Sequence, residues 1–245
     1  LMNETEIMYR QTDIWKIFRY NAFTLSQKNM WNYGGTPFSN NASLRWQSMT
    51  MNRYEWDVKE TFAWNWLDSR LLRGGPDVRF GSYFLTSAKF NTDKAKRMMF
   101  MLKYEGDHNF EGNRFNTISP SLTFRLGNHV YLSGQLDYAW NTDEMQYVAT
   151  TSPLSSSSLA PYYYVMGHMD QKTYGLTLKL QVNVTPDISI QFYGAPFTSI
   201  AKYDDFKLAA DTKSHTFENR FQRIDPDQLT YADGVYTIGE GAGQM

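Results

Sequence analysis

The side chains best suited to chemistry in this chain are its histidines and the carboxylates near them. His168 and Asp170 are two residues apart, so in a strand the imidazole and the carboxylate would share one face, as a metal site or an acid–base pair requires. A polar strand extension in water explains the same pair without chemistry. The four histidines fall in different loops or strand ends, without the spacing of metal ligands: His108, His129, His168 and His215. We therefore predict no metal site and no cofactor.

Motifs for a nucleophile or for calcium are also weak. No G-x-S-x-G sequence, typical of a serine hydrolase, occurs in the chain, and the serine run at 155–158 is typical of a loop tip. Asp204-Asp205 and Asp225-Pro226-Asp227 lack the ligand periodicity of an EF-hand, so we interpret them as solvated turns. The sequence predicts no catalytic residue and no enzyme. A net charge of −1 argues against a nucleic-acid partner.

Alternation of apolar and polar residues indicates the elements that would position these side chains. Leu176 and Leu178 alternate with Thr177 and Lys179, and a period of two places alternate side chains on opposite faces of a strand. Pro120 is unusual in such a pattern, because proline removes a ladder donor and normally lies at a bulge or an edge. We predict nine strands, at 14–26, 42–51, 54–66, 77–90, 96–105, 114–126, 130–149, 162–184 and 188–203.

The connections between these strands alternate between short and long. Short ones lie at 52–53, 91–95, 127–129 and 185–187, and longer ones at 27–41, 67–76, 106–113 and 150–161. Outer-membrane barrels have short periplasmic turns and longer external loops. No run of roughly 20 apolar residues is available for a membrane helix. The sequence therefore predicts an all-β, antiparallel transmembrane β-barrel in the outer membrane of a Gram-negative cell, and a soluble β-sandwich is the alternative.

The predicted barrel is expected to be incomplete. Residues 1–203 would form strands and loops, and 204–245 would form a long extracellular loop or an incomplete C-terminal segment. The strands at 130–149 and 162–184 turn polar towards the loop that joins them, so we expect this hairpin to project past the membrane. Nine is an odd number, whereas bacterial single-chain barrels have an even one. We expect a larger barrel, with a closing strand after Met245 and a start before Leu1.

Charged residues on the predicted inner faces would line the lumen of such a barrel, where side chains tune what passes through. These lumen-facing candidates are Arg19, Arg45, Glu55, Asp57, Lys59, Arg79, Arg97, Lys103, Arg125, Asp137 and Lys179. Arginine and lysine predominate among them. They could favour anions or sugar phosphates, or they could form salt bridges with one another in a narrow or plugged lumen.

Aromatic residues cluster near the predicted ends of the membrane spans. Amphipathic rings favour the level of the lipid headgroups. The residues that we predict at the two lipid interfaces are Trp15, Trp46, Trp56, Trp64, Trp66, Tyr138, Trp140 and Tyr174.

Several stretches of the chain resemble the C-terminal barrel of the domain of unknown function 5916 family. They are Leu72-Arg73-Gly74-Gly75-Pro76, the segment 176–193 with Thr185-Pro186-Asp187 at its turn, the segment 195–207, and the segment 141–148 with Gln146-Tyr147-Val148. The resemblance implies an outer-membrane β-barrel preceded by a carbohydrate-binding module similar to family nine. Some members of the family are labelled hydrolases because of that module. Nothing in this chain matches that module, so neither sugar binding nor hydrolysis carries over to its residues.

Transport, secretion or envelope assembly is the function that these observations favour, with outer-membrane lipid as the surrounding partner. Other envelope proteins and glycans are further candidate partners. The alternative is a glycan-binding β-protein of the cell surface, in which exposed aromatics such as those at 162–164 stack on sugar rings. A hydrolase embedded in a barrel is a third hypothesis, and it would depend on the histidines as bases.

Overall fold

The protein is built from antiparallel strands joined by turns. The structure, a computed structural model, describes residues 1–64, 66–127, 129–151, 163–232 and 235–238. Among these residues the only helices are single 3-10 turns at Glu218–Arg220 and Pro226–Gln228. No helix in the described part of the chain is long and apolar enough to cross a bilayer.

Sixteen strands are present in the described residues. They are β1 (Met2–Gln11), β2 (Phe18–Trp31), β3 (Pro37–Thr50), β4 (Glu55–Trp64), β5 (Trp66–Asp68), β6 (Val78–Phe80), β7 (Tyr83–Asn91), β8 (Met98–Asn109), β9 (Arg114–Leu126), β10 (Val130–Thr151), β11 (Tyr163–Thr185), β12 (Ile188–Gly194), β13 (Phe197–Ala209), β14 (Phe221–Arg223), β15 (Leu229–Ala232) and β16 (Val235–Ile238).

Twelve of these strands form one sheet in the order β1-β2-β3-β4-β7-β8-β9-β10-β11-β13-β14, and β12 pairs with the other half of the β11 edge. The pairs β5–β6 and β15–β16 form two small separate sheets. The large sheet is not closed into a barrel: among the described residues, β1 and β12 each pair on one side only. The predicted all-β antiparallel architecture is confirmed, and barrel closure stays a prediction.

The sheet has two different ends. We call the end with the β3–β4, β7–β8, β9–β10 and β11–β12 connections the short-turn end. The opposite end, where β4, β8 and β10 end, is called the long-loop end. Two connections predicted to be long there, 27–41 and 106–113, are only 32–36 and 110–113, because the strands extend into them. Strands β10 and β11, of 22 and 23 residues, are the longest and extend furthest towards the long-loop end.

The sheet contains a long strand that the sequence prediction missed. Each of the nine predicted segments overlaps an observed strand, but β1 comes before them all. Its apolar positions Ile7 and Tyr9 are too few to make a clear alternation. The predicted strand 77–90 is two strands, β6 and β7, and the strand 188–203 is interrupted between β12 and β13 at Pro196, which has no N–H for the ladder. Strands β14 to β16 lie within 204–245, predicted as a loop or an incomplete segment.

The cross-strand register sorts the side chains onto two faces. One register row across β3, β4, β7, β8 and β9 is polar, and it runs Gln47, Asp57, Lys89, Lys103, Ser119. The neighbouring row on the opposite face is mostly apolar, and it runs Trp46, Val58, Ala88, Tyr104, Ile118. We call these the polar face and the apolar face.

The apolar face contains polar groups that are hydrogen-bonded to one another. The Glu60 carboxylate accepts a hydrogen bond of 2.7 Å from the Thr86 hydroxyl on the next strand. The Asn116 side-chain oxygen accepts one of 2.7 Å from the Tyr104 hydroxyl and lies 2.9 Å from Nε2 of His108. Because these groups have partners, the cost of placing them on an apolar surface is reduced.

Pro120 lies in the middle of the sheet, neither at an edge nor at a register shift. Strands β8 and β9 pair through it, opposite Leu102. The β9–β10 register is the same on both sides of Pro120, but the pairs at Ser119 and Pro120 are missing from that ladder. The Ser119 hydroxyl bridges the gap with a 2.6 Å hydrogen bond to Asp137. A side-chain contact therefore replaces the ladder contact that proline removes.

Two small hydrophobic cores lie at the long-loop end, on opposite faces of the β10–β11 extension. Met166 is fully buried in the first core, and the adjacent Val165 is fully buried in the second. The buried residues of the first core are Leu72, Val78, Met145, Met166 and Phe221, and those of the second are Val165, Ile224 and Ile238. The extension is thus covered on both faces.

Candidate functional site

The polar face holds a network of ion pairs and hydrogen bonds. The Arg45 guanidinium grips both carboxylate oxygens of Asp57, one of them through Nε at 2.8 Å, and the Gln47 amide donates to the same carboxylate at 3.2 Å. Lys103 lies 2.7 Å from Glu105 on its own strand. These contacts pair some of the charged side chains on the polar face with one another, whereas other charged side chains of the described sheet form no ion pair.

Four cations follow one another across β3, β4, β7 and β8. Arg45 lies directly opposite Lys59, and Lys89 lies directly opposite Lys103. Lys59 and Lys89 are diagonal neighbours, because Lys59 pairs with Ser87 and Lys89 comes two residues later. Lys59 and Lys89 have no ion-pair partner among the described residues. We call these four residues the cation row.

The other predicted lumen residues lie in varied places. Asp137, Lys179 and Arg125 are on the polar face, paired in register with Gly175, Ser133 and Tyr131. Glu55, opposite Asn91, is also on this face, and the ammonium of Lys94 contacts its carboxylate.

Three predicted lumen arginines lie outside the regular ladder. Arg19 lies at a register shift of β2, where a groove begins. Arg97 is in the β7–β8 turn, and its carbonyl accepts a hydrogen bond from the backbone of Arg125. Arg79 belongs to the small β5–β6 sheet at the long-loop end and donates through Nε to the carbonyl of Lys213.

Aromatic rings contact one another at the short-turn end. Trp15 stacks on Phe18, which meets the edge of Trp46, each at a centroid distance of 6.2 Å. Trp56 lies 4.4 Å from the ring of Phe90, and Tyr54 meets the same ring. We call this group the short-turn band, and it contains the predicted Trp15, Trp46 and Trp56.

A second group of rings lies towards the long-loop end. The ring of Tyr138 stacks on Trp140 and on Tyr174, at 5.2 and 5.0 Å. Phe62 stacks on Trp64 at 5.7 Å and lies 5.0 Å from Phe84. We call this group the long-loop band. Trp66 is separate, since it packs on Phe80 and Tyr83 beside the small β5–β6 sheet.

His168 is the centre of a charged cluster on the β10–β11 extension. Its Nδ1 lies 2.9 Å from Glu144, and its Nε2 lies 3.4 Å from Asp170, two residues along the same strand. The Thr142 hydroxyl donates to Asp170 at 2.8 Å. The imidazole and the carboxylate of the His168–Asp170 pair thus share one strand face, and a second carboxylate comes from β10.

Lys207 ties this cluster to the next strand. Its side chain is 2% exposed, and its ammonium lies 3.7 Å from Glu144 and 3.6 Å from Asp205. The ammonium also lies 5.5 Å from the ring centroids of both Phe217 and Phe221. A buried cation held by two carboxylates and two aromatic faces has a structural explanation, so the cluster needs no catalytic role to account for it.

Because His168 is charged only when protonated, its contacts with Glu144 and Asp170 depend on pH. Burial lowers the pKa of His168, but the hydrogen bonds and charges of Glu144 and Asp170 outweigh it and raise the pKa above its ordinary value. The pKa of Asp170 is lowered, chiefly by the hydrogen bond from Thr142. Burial is also the main reason that the pKa of the nearby Asp143 is raised.

We expect the wild-type protein to gain more stability from His168 at pH 6 than at pH 8. The raised folded-state pKa makes this contribution complete below the unfolded value of about 6.5, and it is lost as pH rises through the folded pKa. The difference should be about 1 kcal/mol or less, because the pair is only part-buried. The test compares the unfolding of the wild type with that of His168→Gln at both pH values. An equal difference at pH 6 and pH 8 would contradict the expectation.

Arg220 forms a clamp that sequence reasoning did not find. Its guanidinium is 1% exposed and binds both carboxylate oxygens of Glu111, at 2.7 and 3.0 Å. It also donates to the carbonyls of Arg79, Ser214 and His215. The clamp fastens the 211–224 segment to the β8–β9 loop and to β6. No local pattern signals it, because Arg79 and Glu111 are more than 100 positions from Arg220.

The Leu-Arg-Gly-Gly-Pro element has a packing role at the same end. Leu72 is buried in the first core, and the Arg73 guanidinium lies 4.5 Å from the ring centroid of Tyr147. Gly74 has a φ of +108°, which suits glycine. A Cβ at Gly75 would lie 2.7 Å from the Tyr164 ring, so only glycine allows this approach. The Tyr164 ring thus packs against Gly75 of this element.

Among the described residues, no group of three or more His, Asp or Glu side chains is arranged to hold a metal ion. His108 and His129 contact Asn116 and the carbonyl of Asn183, and the carbonyl of His215 is bound by Arg220. The serine run at 155–158 and Tyr162 lie outside the described residues.

A family model described as a domain of unknown function (DUF5916) matches residues 2–231. No curated protein matches the chain, and no solved structure does.

Proposed function

We propose that this chain, which belongs to the domain of unknown function 5916 family, forms the wall of a β-barrel in the outer membrane of a Gram-negative cell and serves transport, secretion or envelope assembly. The apolar face would contact lipid, and the polar face would line the lumen. The observation that supports this most is the division of one large sheet into a polar face and an apolar face with aromatic bands near its two ends.

The exposed side chains of the apolar face are those expected against lipid. Leu132, Leu136, Leu178, Ile190 and Phe192 are all exposed in the described sheet. Soluble proteins rarely leave contiguous apolar patches larger than a few hundred Å² uncovered. A hydrocarbon environment gives this surface a favourable contact along its whole length.

The distance between the aromatic bands fits a membrane. Trp56 and Trp64 bound a nine-residue stretch of β4, and Val130 and Trp140 bound an eleven-residue stretch of β10. A tilted transmembrane strand needs about 9–11 residues. The β10–β11 extension, with His168, Lys207 and the clamp, would then stand in water on the long-loop side.

Unpaired backbone groups at the sheet edges need partners in such an environment. In lipid every N–H and C=O must be satisfied within the protein, so only closed barrels and helices span the bilayer. Barrel closure would supply these partners to β1 and β12.

The proposal is tested by the detergent dependence of the protein. We expect the protein to fractionate with outer membranes, to resist extraction by high salt and alkaline carbonate, and to run as a monodisperse species only in detergent. Size-exclusion chromatography with and without detergent gives the measurement. A monodisperse protein in buffer alone would overturn the membrane assignment.

A further inference from the structure

We propose that the cation row binds the oxyanion groups of solutes, such as phosphates or clustered carboxylates, at the short-turn mouth of the lumen. Lys59 and Lys89 supply the free charge, and Arg45 and Lys103 flank them. This inference rests on the proposed function in one respect only, namely that the polar face lines a path for solutes.

The cation row places like charges next to one another. Two cation–cation pairs stand directly opposite each other across neighbouring strands, Arg45 with Lys59 and Lys89 with Lys103. Like charges in directly opposed positions destabilise a sheet. Asp57 and Glu105 balance one cation of each pair, namely Arg45 and Lys103. Asp57 also lies directly opposite Lys89. Lys59 and Lys89 themselves form no ion pair among the described residues. An anion bound between Lys59 and Lys89 would relieve the repulsion.

The four cations lie at a similar level in the sheet. Each lies between two and five residues from the end of its strand nearest the short turns: Arg45 on β3, Lys59 on β4, Lys89 on β7 and Lys103 on β8. The row therefore runs along the rim at nearly constant depth. Rings of Arg and Lys at one level are the arrangement by which pores select anions and phosphates.

A groove lies at the short-turn end of the same sheet. Its nine lining residues include three cations, Arg19, Arg53 and Lys94, and two carboxylates, Glu55 and Asp93. Lys94 contacts Glu55, whereas Arg19 and Arg53 have no ion-pair partner among the described residues. Cations thus outnumber carboxylates in this groove, and the excess positive charge would raise the local concentration of anions at the short-turn end.

The choice of ligand follows from the geometry of lysine. An ammonium group acts as a compact point charge with three donors and suits phosphate oxygens from several directions. Two free ammonium groups on neighbouring strands favour a solute with two adjacent oxyanion groups over a monovalent ion. Inorganic pyrophosphate is the simplest probe with this character, and citrate is its carboxylate counterpart.

The test is calorimetric titration of pyrophosphate, and of citrate, into the detergent-solubilised protein at constant ionic strength. We expect the double variant Lys59→Gln/Lys89→Gln to bind pyrophosphate about tenfold more weakly, or worse, since tenfold corresponds to about 1.4 kcal/mol. The same variant should unfold at a higher temperature than the wild type without ligand, because it removes like-charge contacts. Comparing the two probes tells phosphate recognition from general oxyanion binding.

The matched control is Lys172→Gln/Lys202→Gln, which removes two charges from the apolar side of β11 and β13 near the long-loop end. Register places Lys172 opposite Trp140 and Ile200, away from the cation row. The control should bind pyrophosphate within twofold of the wild type. Equal weakening in both variants, or no binding by the wild type, would overturn the inference.

Pyrophosphate binding and detergent dependence together distinguish a failure of the oxyanion site from a failure of the membrane proposal. A protein that needs detergent but does not bind pyrophosphate would keep the barrel and lose the oxyanion site. A protein that is monodisperse in buffer yet binds pyrophosphate through Lys59 and Lys89 would keep the site and lose the barrel.

Discussion

Replacing Arg220 with alanine is expected to destabilise the protein by about 3–5 kcal/mol, the usual cost of removing one partner from a buried ion pair. The substitution leaves Glu111, whose side chain is 13% exposed, without its bidentate partner. It also frees the carbonyls of Arg79, Ser214 and His215. The 211–224 segment should then detach from the β8–β9 loop.

Denaturant unfolding in detergent and limited trypsin digestion measure this effect, since detachment should speed cleavage after Lys213 and Arg223. The control is Arg223→Ala, which removes a 77% exposed guanidinium lying 3.5 Å from Asp205. Exposed ion pairs contribute about 0–1 kcal/mol, so this variant should stay close to the wild type. If Arg220→Ala unfolds like Arg223→Ala, the clamp is not a stabilising contact.

Placing an arginine at Leu136 is expected to cost about 2–4 kcal/mol, the value for a cation on the lipid face near the middle of a bilayer. Leu136 is 58% exposed on the apolar face and lies between Val130, where β10 begins, and Trp140 of the long-loop band. In a soluble protein, the same change at an exposed leucine should shift stability by roughly 0.5 kcal/mol or less. The substitution therefore separates lipid from water as the surroundings of this face.

The matched control is Thr177→Arg, at a similar level on the polar face, where the side chain stands opposite Gln135. We expect Thr177→Arg to assemble in membranes like the wild type and Leu136→Arg to assemble poorly or unfold at lower denaturant. Membrane-integrated yield and denaturation midpoint are the measurements. Equal behaviour of the two variants would count against a lipid-facing apolar side.

The strands were predictable where the local pattern is strong. In β9, β10 and β11 the alternation is long, and the register places the alternate residues on two faces as predicted. Strand β1 escaped because its apolar positions are few, and Gly81 ends a strand that looked continuous because its N–H is taken by Glu111. Local periodicity therefore locates most of the sheet but not the points where distant side chains intervene.

The candidate site was predictable only as a set of residue types. Alternation put Arg45, Lys59 and Lys103 on inner faces, but it could not show which cations stand opposite each other. That depends on register, which pairs Lys89 with Lys103 across a turn of six residues. The clamp was beyond local reasoning altogether, since Arg220 and Glu111 are 109 positions apart. No pattern within a window of a dozen residues connects them.

The meander order of the large sheet has a consequence for the path of folding. Nearly every strand pairs with the next long strand in the chain, so loop-closure entropy is small and the hairpins can add one after another. The bonds of Arg220 to Arg79 and Glu111 span more than 100 positions and form only when β6 and the β8–β9 loop are in place. We therefore expect these bonds of Arg220 to form last, after the strands of the large sheet have paired.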